Sequence, residues 1–252
     1  MKINRLQDME RYVARQGTAS MEELADRYGV SMNTIRRDVA ELVRRGLAEK
    51  VYGGVSAHHT EQNLTPYEIR KLSAESAKRA IAQKAAELVH DGDVIFLDSG
   101  TTTLHLVDQL SHLRSLTIVT NNLEAIFRAL PYEQITLIAL PGLVRRKTNS
   151  MTGFDAVESL KHYNIRLAFM AATGLSLHGA TNSSDKEYEI KKTAVQISEQ
   201  VALLVNKEKF GVTGLTTFAN LTDFDYIVSD GSPDAELESR LLDAGARLLV
   251  AE

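Results

Sequence analysis

The stretch from Ser31 to Arg45 carries polar and basic side chains of the kinds that bind an anionic polymer. Ser31 is a favourable helix N-cap, because its hydroxyl can accept a free backbone N–H of the first turn. Ile35, Val39 and Leu42 recur at helical spacing and predict one apolar face. A solvated surface helix would explain this stretch equally well, since arginine is common on exposed helix faces. The residues predicted to face a ligand are Ser31, Met32, Asn33, Thr34, Arg36 and Arg37.

A second polar group follows the short apolar run from Val94 to Leu97, which is typical of a buried parallel strand. Its glycine would let the backbone approach a ligand closely. Hydroxyls beside the free N–H groups at a helix start suit an anion such as phosphate. A plain strand-to-helix turn with threonine caps explains the same residues as well. They are Asp98, Ser99, Gly100, Thr101, Thr102 and Thr103.

Two further strand ends carry small or polar residues. Asn121 and Asn122 follow the next predicted strand, Leu116 to Val119, and Gly142 follows the one after it, Ile135 to Leu140. In a parallel sheet, ligands bind beyond the carboxyl ends of the strands. Three such ends in succession favour one shared pocket.

The segments around Ser31 predict the elements that position the basic helix. Asn4 to Gln16 reads as a first helix, and Ser20 to Glu23 forms a capping box that opens a second helix ending at Gly29. Leu47 to Val51 is a predicted strand, and Tyr52 to Val55 a hairpin turn and return strand. Two short helices joined by a glycine turn are typical of a helix-turn-helix, whose second helix lies in the major groove. The hairpin would form a wing.

The run ASMEELADRYGVSMNTIRRDVAELVRRGLAEKVYGGV resembles the N-terminal winged helix of the DeoR family of bacterial transcriptional regulators. The resemblance implies double-stranded operator DNA as a partner. Tyr52 and Gly53, at the tip of the hairpin, are expected near the DNA backbone or minor groove. Tyr52 and Val55 replace the histidine and alanine that are usual in the family's wing.

After a polar, aperiodic stretch from Ser56 to Pro66, strands and helices alternate along the chain. Lys71 to Val89 is predicted as one long helix, and Asp185 to Glu199 and Asp234 to Ala244 as two later ones. This alternation predicts an α/β domain with a mainly parallel sheet. Other predicted strands are Leu167 to Ala172, Val201 to Val205, Tyr226 to Val228 and Arg247 to Val250. The predicted division is a winged helix-turn-helix over 1–56, a linker over 57–69, and an effector-binding and oligomerisation domain over 70–252.

The second half also resembles the DeoR family, whose effector domain is similar in fold to ribose-5-phosphate isomerase and glucosamine-6-phosphate deaminase. The resemblance implies a phosphorylated sugar or related metabolite as ligand. It matches the family's phosphate loop to Asp98–Thr103, and its pocket glutamate and lysines to Glu187, Lys191 and Lys209. Glu187 and Lys191 lie four residues apart, and this spacing alone would favour a salt bridge on the surface of a helix. The predicted effector residues are Asp98, Ser99, Gly100, Thr101, Thr102, Thr103, Asn121, Gly142, Glu187, Lys191 and Lys209.

Three departures from the family pattern bear on catalysis. Pro141 replaces a usual glycine, and Ser176 and Asn206 replace usual aspartates. Isomerases of this fold need acid–base groups to move a proton between adjacent carbons. We therefore expect binding without catalysis, and no cofactor or metal. The alternatives are a sugar-phosphate isomerase or deaminase with an appended DNA-binding domain, and an architectural DNA-binding protein.

Composition sets broader limits on the 252-residue chain. Its net charge is −4, but residues 1–50 hold ten Lys and Arg against eight Asp and Glu, so this head is +2 and the rest −6. A basic head on an acidic body suits a specific DNA reader. The absence of cysteine and of long apolar runs fits a cytoplasmic protein without a membrane span. One winged helix covers one half-site, so we expect a homo-oligomer, either a dimer or a tetramer.

Overall fold

The structure is a computed structural model that describes residues 5–6, 8–10, 12–13, 18–44, 47–51, 54–57 and 67–251. In the first predicted helix, the described residues 5–6, 8–10 and 12–13 are helical. Leu6, Met9 and Val13 are buried there, as their spacing predicted. They join a small apolar core with Leu24 and Val55.

The helix predicted as the second in the chain is labelled α1 (Met21–Tyr28), and it begins at the predicted capping box. The Ser20 hydroxyl accepts the Glu23 N–H at 3.0 Å, and the Glu23 carboxylate accepts the Ser20 N–H at 3.3 Å. Gly29 ends the helix with φ of 60°, a left-handed conformation that glycine adopts without steric cost. The turn to the third helix is therefore fixed by local hydrogen bonds and one glycine.

The third helix, α2 (Met32–Arg44), starts directly after Ser31, whose hydroxyl accepts the Thr34 N–H at 3.3 Å. Ile35, Val39 and Leu42 are all buried in the small core. The apolar face and the cap of this helix are both confirmed. Arg45 and Gly46 lie outside the described residues.

Three short strands complete this domain: β1 (Thr18–Ser20), β2 (Ala48–Val51) and β3 (Gly54–Ala57). They form an antiparallel sheet in the order β1-β3-β2, with Val51 opposite Gly54. The hairpin of the predicted wing is thus present, while its tip residues Tyr52 and Gly53 lie outside the described residues. Strand β1 was not predicted, since three residues carry too little periodicity.

The predicted long helix from Lys71 to Val89 is wrong, because two helices occupy this region. They are α3 (Tyr67–Leu72) and α4 (Glu75–Ala86), and Ala74 between them has φ of 49°. The Lys78 ammonium donates to the Arg70 carbonyl, so a side chain binds a carbonyl group at the end of α3. Of the predicted linker, Ala57 belongs to β3 and Tyr67 to Ile69 belong to α3, while residues 58–66 lie outside the described part.

The second domain is built on a seven-stranded sheet in which every neighbouring pair is parallel. The strands are β4 (Val94–Leu97), β5 (Leu116–Thr120), β6 (Ile135–Ala139), β9 (Leu167–Ala171), β12 (Gln200–Leu204), β14 (Tyr226–Ser229) and β15 (Arg247–Val250). Their order in the sheet is β15-β14-β12-β9-β4-β5-β6, and every strand was predicted to within two residues at each end.

Helices cover both faces of this sheet. Ile95 and Leu97 of β4 face one apolar core and Phe96 faces the other, as alternation along a strand requires. Two short 3₁₀ turns, Thr103–His105 and Asp185–Glu187, directly precede helices, and a third, Lys207–Lys209, follows β12. The helices are α5 (Leu106–Gln109), α6 (Leu123–Ala129), α7 (Phe154–Leu160), α8 (Tyr188–Ile197) and α9 (Ala235–Asp243).

Several smaller elements were not predicted. A hairpin, β7 (Leu143–Arg145) and β8 (Ser150–Thr152), follows β6, and a three-stranded antiparallel sheet joins β10 (Gly174–Ser176), β11 (Gly179–Asn182) and β13 (Thr216–Ala219). These strands have three or four residues each, too few for a periodic signal. Within the described part of the chain, no helix combines the length and apolar character that a membrane span requires.

The topology marks one place on the sheet. From β4 the chain winds outward through β5 to β6, and it then returns to β9 on the other side of β4 and winds outward through β12 to β15. The strand order therefore reverses between β4 and β9. In open parallel sheets, ligands bind in the crevice beyond the carboxyl ends of the strands at such a reversal.

Candidate functional site

The exposed surface of α2 presents most of the predicted DNA-facing residues, but Met32 packs partly buried against the small apolar core. Asn33, Arg36 and Arg37 are exposed, and Thr34 is half-buried, with its hydroxyl 3.0 Å from that of Ser31. Neither arginine makes a side-chain hydrogen bond or ion pair with another described residue. Both guanidinium groups are thus available to base edges or phosphates.

A buried carboxylate on the opposite face of α2 was missed by sequence reasoning. Asp38 is only 1% exposed and pairs with the Arg5 guanidinium at 2.7 Å. This contact ties α2 to the N-terminal helical segment and so orients the exposed face. An aspartate beside Arg37 and Val39 gives no signal of burial, because its partner lies thirty-three residues away.

A cavity of about 320 Å³ lies beyond the carboxyl ends of β4 and β9. Hydroxyl, amide, basic and acidic side chains converge on it, which is the pattern of a site for a small polar ligand. Its lining includes Arg70, Ser99, Gly100, Thr101, Thr102, Thr148, Thr173, Asn182, Ser183, Glu187, Lys191 and Lys209.

The loop after β4 forms one wall of the cavity. An alanine in place of Gly100 would bring its Cβ within 2.2 Å of the Ala171 Cβ, so the loop packs against β9 only with glycine there. The Thr103 hydroxyl turns inward and donates to the carbonyls of Asp98 and Gly100 at 2.7 and 2.9 Å. The Asn122 amide donates to the same two carbonyls at 3.3 Å. The loop is therefore held by side chains from two strand ends.

Asp98 and Lys191 form an ion pair below the cavity. Both side chains are almost completely buried, and Asp98 also accepts the Ala171 N–H at 2.9 Å. Lys191 donates in addition to the Ala171 carbonyl at 2.9 Å. The pair thus joins β4, β9 and α8.

Glu187 is buried at the start of α8 and is bound by three donors. Its carboxylate accepts the Ser99 hydroxyl at 2.6 Å, the Ser150 hydroxyl at 2.9 Å and the Asn182 amide at 3.3 Å. Glu187 and Lys191 both lie in the described part of the chain, but they form no ion pair, and Lys191 pairs with Asp98 instead. The surface salt bridge that spacing alone allowed is therefore wrong, and both side chains belong to the cavity.

Positive charge is concentrated at the cavity. The Lys209 ammonium donates to the Ala172 carbonyl at 2.7 Å and has no carboxylate partner among the described residues. Burial, together with the charges of Arg70, Lys78 and Lys191, lowers the pKa of Lys209 to about 7. Burial and, to a smaller extent, the charge of Arg70 lower the pKa of Lys78 to about 8. An anion would relieve this mutual repulsion.

The predicted effector residues do not all reach the cavity surface. Asp98 and Thr103 lie beneath it, and their hydrogen bonds shape the loop. Asn121 is buried and donates to the Met151 carbonyl at 3.0 Å, while its neighbour Asn122 holds the loop instead. Gly142 lies at the base of the β7–β8 hairpin, where an added Cβ would meet the Thr152 carbonyl at 2.5 Å. Neither Asn121 nor Gly142 is part of the lining.

Sequence reasoning also missed several lining residues. Arg70 comes from α3, before the sheet begins, and Thr148 from the β7–β8 hairpin. Asn182 ends β11, and Ser183 follows it. They adjoin no predicted strand end, so no local signal could have found them.

A larger recess of about 650 Å³ lies elsewhere, between α8 and strands β12 and β13. Lys192, Asp223 and Asp225 are among its lining residues, and it lies away from the carboxyl ends of β4 and β9. The smaller cavity, where the charges and the strand reversal coincide, is the better candidate site.

A winged helix-turn-helix joined to a sensor domain with a polar cavity defines a DNA-binding transcriptional regulator. Residues 5–61 match the DeoR-like helix-turn-helix domain, and residues 73–231 match the DeoR C-terminal sensor domain. The chain belongs to the DeoR family.

Its relatives match along almost their whole length. The HTH-type transcriptional regulator IolR of Bacillus subtilis is 41% identical over 94% of both chains. The glycerol-3-phosphate regulon repressor of Escherichia coli is 28% identical over 92% of both chains. Among solved structures, a D-ribose-5-phosphate isomerase in complex with phospho-erythronic acid covers 55% of each chain, with 16% identity and a TM-score of 0.42.

Proposed function

We propose that this regulator is a repressor of carbohydrate-metabolism genes whose operator affinity is controlled by a phosphorylated sugar or polyol bound in the cavity. The observation that carries the proposal is the convergence of Arg70, Lys191 and Lys209 with the Ser99–Thr102 hydroxyls at one strand reversal. The name of the Escherichia coli relative, a glycerol-3-phosphate regulon repressor, supports the same class of ligand.

The ligand's phosphate would lie on the loop from Ser99 to Thr102, near Lys209. Hydroxyl and N–H donors at the start of a helix suit a phosphate, and an ammonium without a carboxylate partner supplies charge. Glu187 and Asn182, which are hydrogen-bonded to each other, would bind sugar hydroxyls. The cavity volume of about 320 Å³ fits a small metabolite.

On the DNA side, the proposal assigns base and phosphate contacts to Asn33, Thr34, Arg36 and Arg37, which begin α2. Ser31 and Met32 lie at the same helix start. Tyr52 and Gly53, at the tip of the wing, would contact the DNA backbone or minor groove. Two or four subunits in the cytoplasm would place matching heads on a symmetric operator.

We further propose that the cavity binds its ligand without turning it over. Ser176 lies outside the lining, and its hydroxyl accepts the His178 N–H at 3.3 Å. The two carboxylates nearest the cavity are already engaged, Asp98 with Lys191 and Glu187 with three donors. An acid–base catalyst would need a carboxylate free to exchange a proton with substrate.

The test uses a duplex that the wild-type protein selects from a randomised pool. Its affinity is measured alone and with hexose, pentose and polyol phosphates, with the unphosphorylated sugars as controls. We expect one phosphorylated compound to weaken DNA binding about 5- to 150-fold, the usual range of allosteric coupling.

Thr101→Ala and Lys209→Ala should reduce this response. The matched control is Lys207→Ala, which removes an exposed lysine from the same short turn as Lys209. If no phosphorylated compound changes wild-type affinity, the proposed effector class is wrong. Turnover of a sugar phosphate that Glu187→Gln abolishes would favour the isomerase alternative.

A further inference from the structure

Helix α3 (Tyr67–Leu72) reaches the cavity although it precedes the whole sheet. It is the first described element after the DNA-binding domain, separated from β3 by residues 58–66. Tyr67 is buried, and Arg70 lines the cavity together with the loop after β4. Ile69 and Leu72 are 59% and 74% exposed, so the helix is packed on one face only.

Polar contacts hold α3 to the elements that build the cavity. The Lys78 ammonium of α4 donates to the Arg70 carbonyl. The Lys71 ammonium pairs with Glu124 of α6 at 2.6 Å. Glu124 lies in the first turn of α6, and the N-cap of that helix is Asn122, which holds the loop at Gly100. A change at the cavity therefore has a direct structural path to α3.

The charges around Arg70 favour an anion at the cavity. Arg70 lowers the pKa of both Lys78 and Lys209, which means that these cations repel one another. Glu187 and Asp98 act on Arg70 in the opposite, favourable sense. A bound phosphate would attract each of these cations and so offset their mutual repulsion. A guanidinium can bind two phosphate oxygens at once.

We propose that Arg70 binds the anionic group of the effector, and that this contact fixes α3 against the cavity when the ligand is bound. The inference rests on the proposed function, because it needs an anionic effector in this cavity. It adds a ligand-binding residue outside the sheet. It also identifies α3 as the element through which ligand binding in the cavity affects residues 58–66. A ligand shifts the equilibrium between two conformations of a protein only if its contacts differ between them. In this proposal, the contact with Arg70 is the one that differs.

The absence of cysteine from the chain makes a direct test possible. A single spin label is attached at Leu72→Cys, on the exposed end of α3, and its mobility is followed by electron paramagnetic resonance. The control label is at Leu242→Cys, an exposed position on α9. The probes are inorganic phosphate and the sugar and polyol phosphates, with the unphosphorylated sugars beside them.

Two substitutions separate Arg70 from a general loss of charge. Arg70→Gln removes the guanidinium at the cavity. Arg79→Gln removes an exposed guanidinium that pairs with Glu75 on α4 and lies outside the cavity lining. We expect a phosphorylated probe to immobilise the label at position 72 in the wild-type and Arg79→Gln backgrounds, but not in Arg70→Gln. The label at position 242 should not respond in any background.

Ligand binding is measured separately, from the rise in melting temperature that a bound ligand produces. Arg70→Gln should weaken probe binding at least fivefold and abolish the release of the selected duplex. If the wild type binds a probe, and Arg70→Gln binds it, immobilises the label and releases DNA equally well, the inference is overturned while the proposed function stands. If no probe stabilises the wild type, both fail. Arg70→Lys should recover part of the affinity if charge matters, and less than all of it if the two-oxygen contact matters.

Discussion

Asp98 and Lys191 are ninety-three residues apart in the chain and form a buried ion pair under the cavity. The pair lies where β4, β9 and α8 meet, so it fixes the floor on which the Ser99–Thr102 loop rests. Removing either partner leaves the other buried without its opposite charge. Substituting one partner therefore tests how much the pair stabilises the site.

We expect Lys191→Met to lower the free energy of unfolding by about 3–5 kcal/mol, because breaking a buried pair leaves an uncompensated charge. The matched control is Lys186→Met, which breaks the exposed pair with Asp185 and should cost less than about 1 kcal/mol. Urea unfolding at neutral pH measures both. Equal losses for the two variants would show that the buried pair is not a special support of the site.

The DNA surface gives the second prediction. Arg36→Ala and Arg37→Ala should each weaken binding to the selected duplex by about 1–3 kcal/mol if the arginine binds a base in bidentate fashion. A phosphate contact would instead lower affinity for all sequences alike and reduce the salt slope by about one. Fluorescence anisotropy at several salt concentrations separates the two.

Arg44→Ala is the control for these variants. Arg44 ends the same helix, but its guanidinium pairs with Glu41 at 2.6 Å. Its removal should change affinity little. A double Arg36→Ala, Arg37→Ala variant that keeps full affinity and an intact circular dichroism spectrum would contradict the assignment of α2 as the DNA-reading helix.

Local patterns in the sequence predicted most of the scaffold. The capping box at Ser20, the apolar stripe through Ile35 and the seven parallel strands each depend on neighbours within a few residues. The break at Ala74 was missed, because no glycine or proline marks it. The strand-end rule found the Ser99–Thr102 loop, since a parallel sheet brings such ends to one edge.

The remaining parts of the cavity depend on distant contacts. Glu187 is held by Ser99 and Ser150, which are eighty-eight and thirty-seven residues away. Spacing alone assigned Glu187 to a surface pair with Lys191. A single segment of sequence shows only which residues are neighbours on a helix, and not which distant residues they contact. Arg70 enters the cavity from a helix whose sequence carries no site signal. Only the packing of the whole domain brings these residues together.

The close approach of Gly100 to β9 gives the third prediction. Gly100→Ala places a Cβ within 2.2 Å of the Ala171 Cβ, so the loop must shift. We expect a loss of about 1–3 kcal/mol in the free energy of unfolding, as overpacking typically produces. The phosphate-dependent rise in melting temperature should also shrink, because the loop donors move.

The matched rescue is Ala171→Gly, which removes the methyl group that the new side chain would meet. The double variant should recover phosphate binding relative to Gly100→Ala alone. Thermal unfolding with and without inorganic phosphate measures both effects. If Gly100→Ala binds phosphate as well as the wild type does, the loop is not the phosphate site.

The last prediction follows from Lys209, whose pKa burial lowers to about 7. Above that pH the free protein holds Lys209 largely neutral, whereas a bound anion favours the ammonium and raises its pKa. Binding therefore takes up a proton, and affinity should fall as pH rises above about 7, by at most about tenfold per pH unit for one proton. Lys78, with a pKa of about 8, should extend the fall to higher pH.

The measurement is probe affinity between pH 6.5 and 9, by calorimetry in buffers of different ionisation enthalpy, which also counts the proton taken up. A sulfate ester serves as second probe, because phosphate itself titrates near pH 6. Lys209→Arg should bind at all these pH values with a shallower fall, and Lys209→Met should bind weakly with a shallower fall. A wild-type affinity that stays constant from pH 6.5 to 9 would place the bound anion away from Lys209.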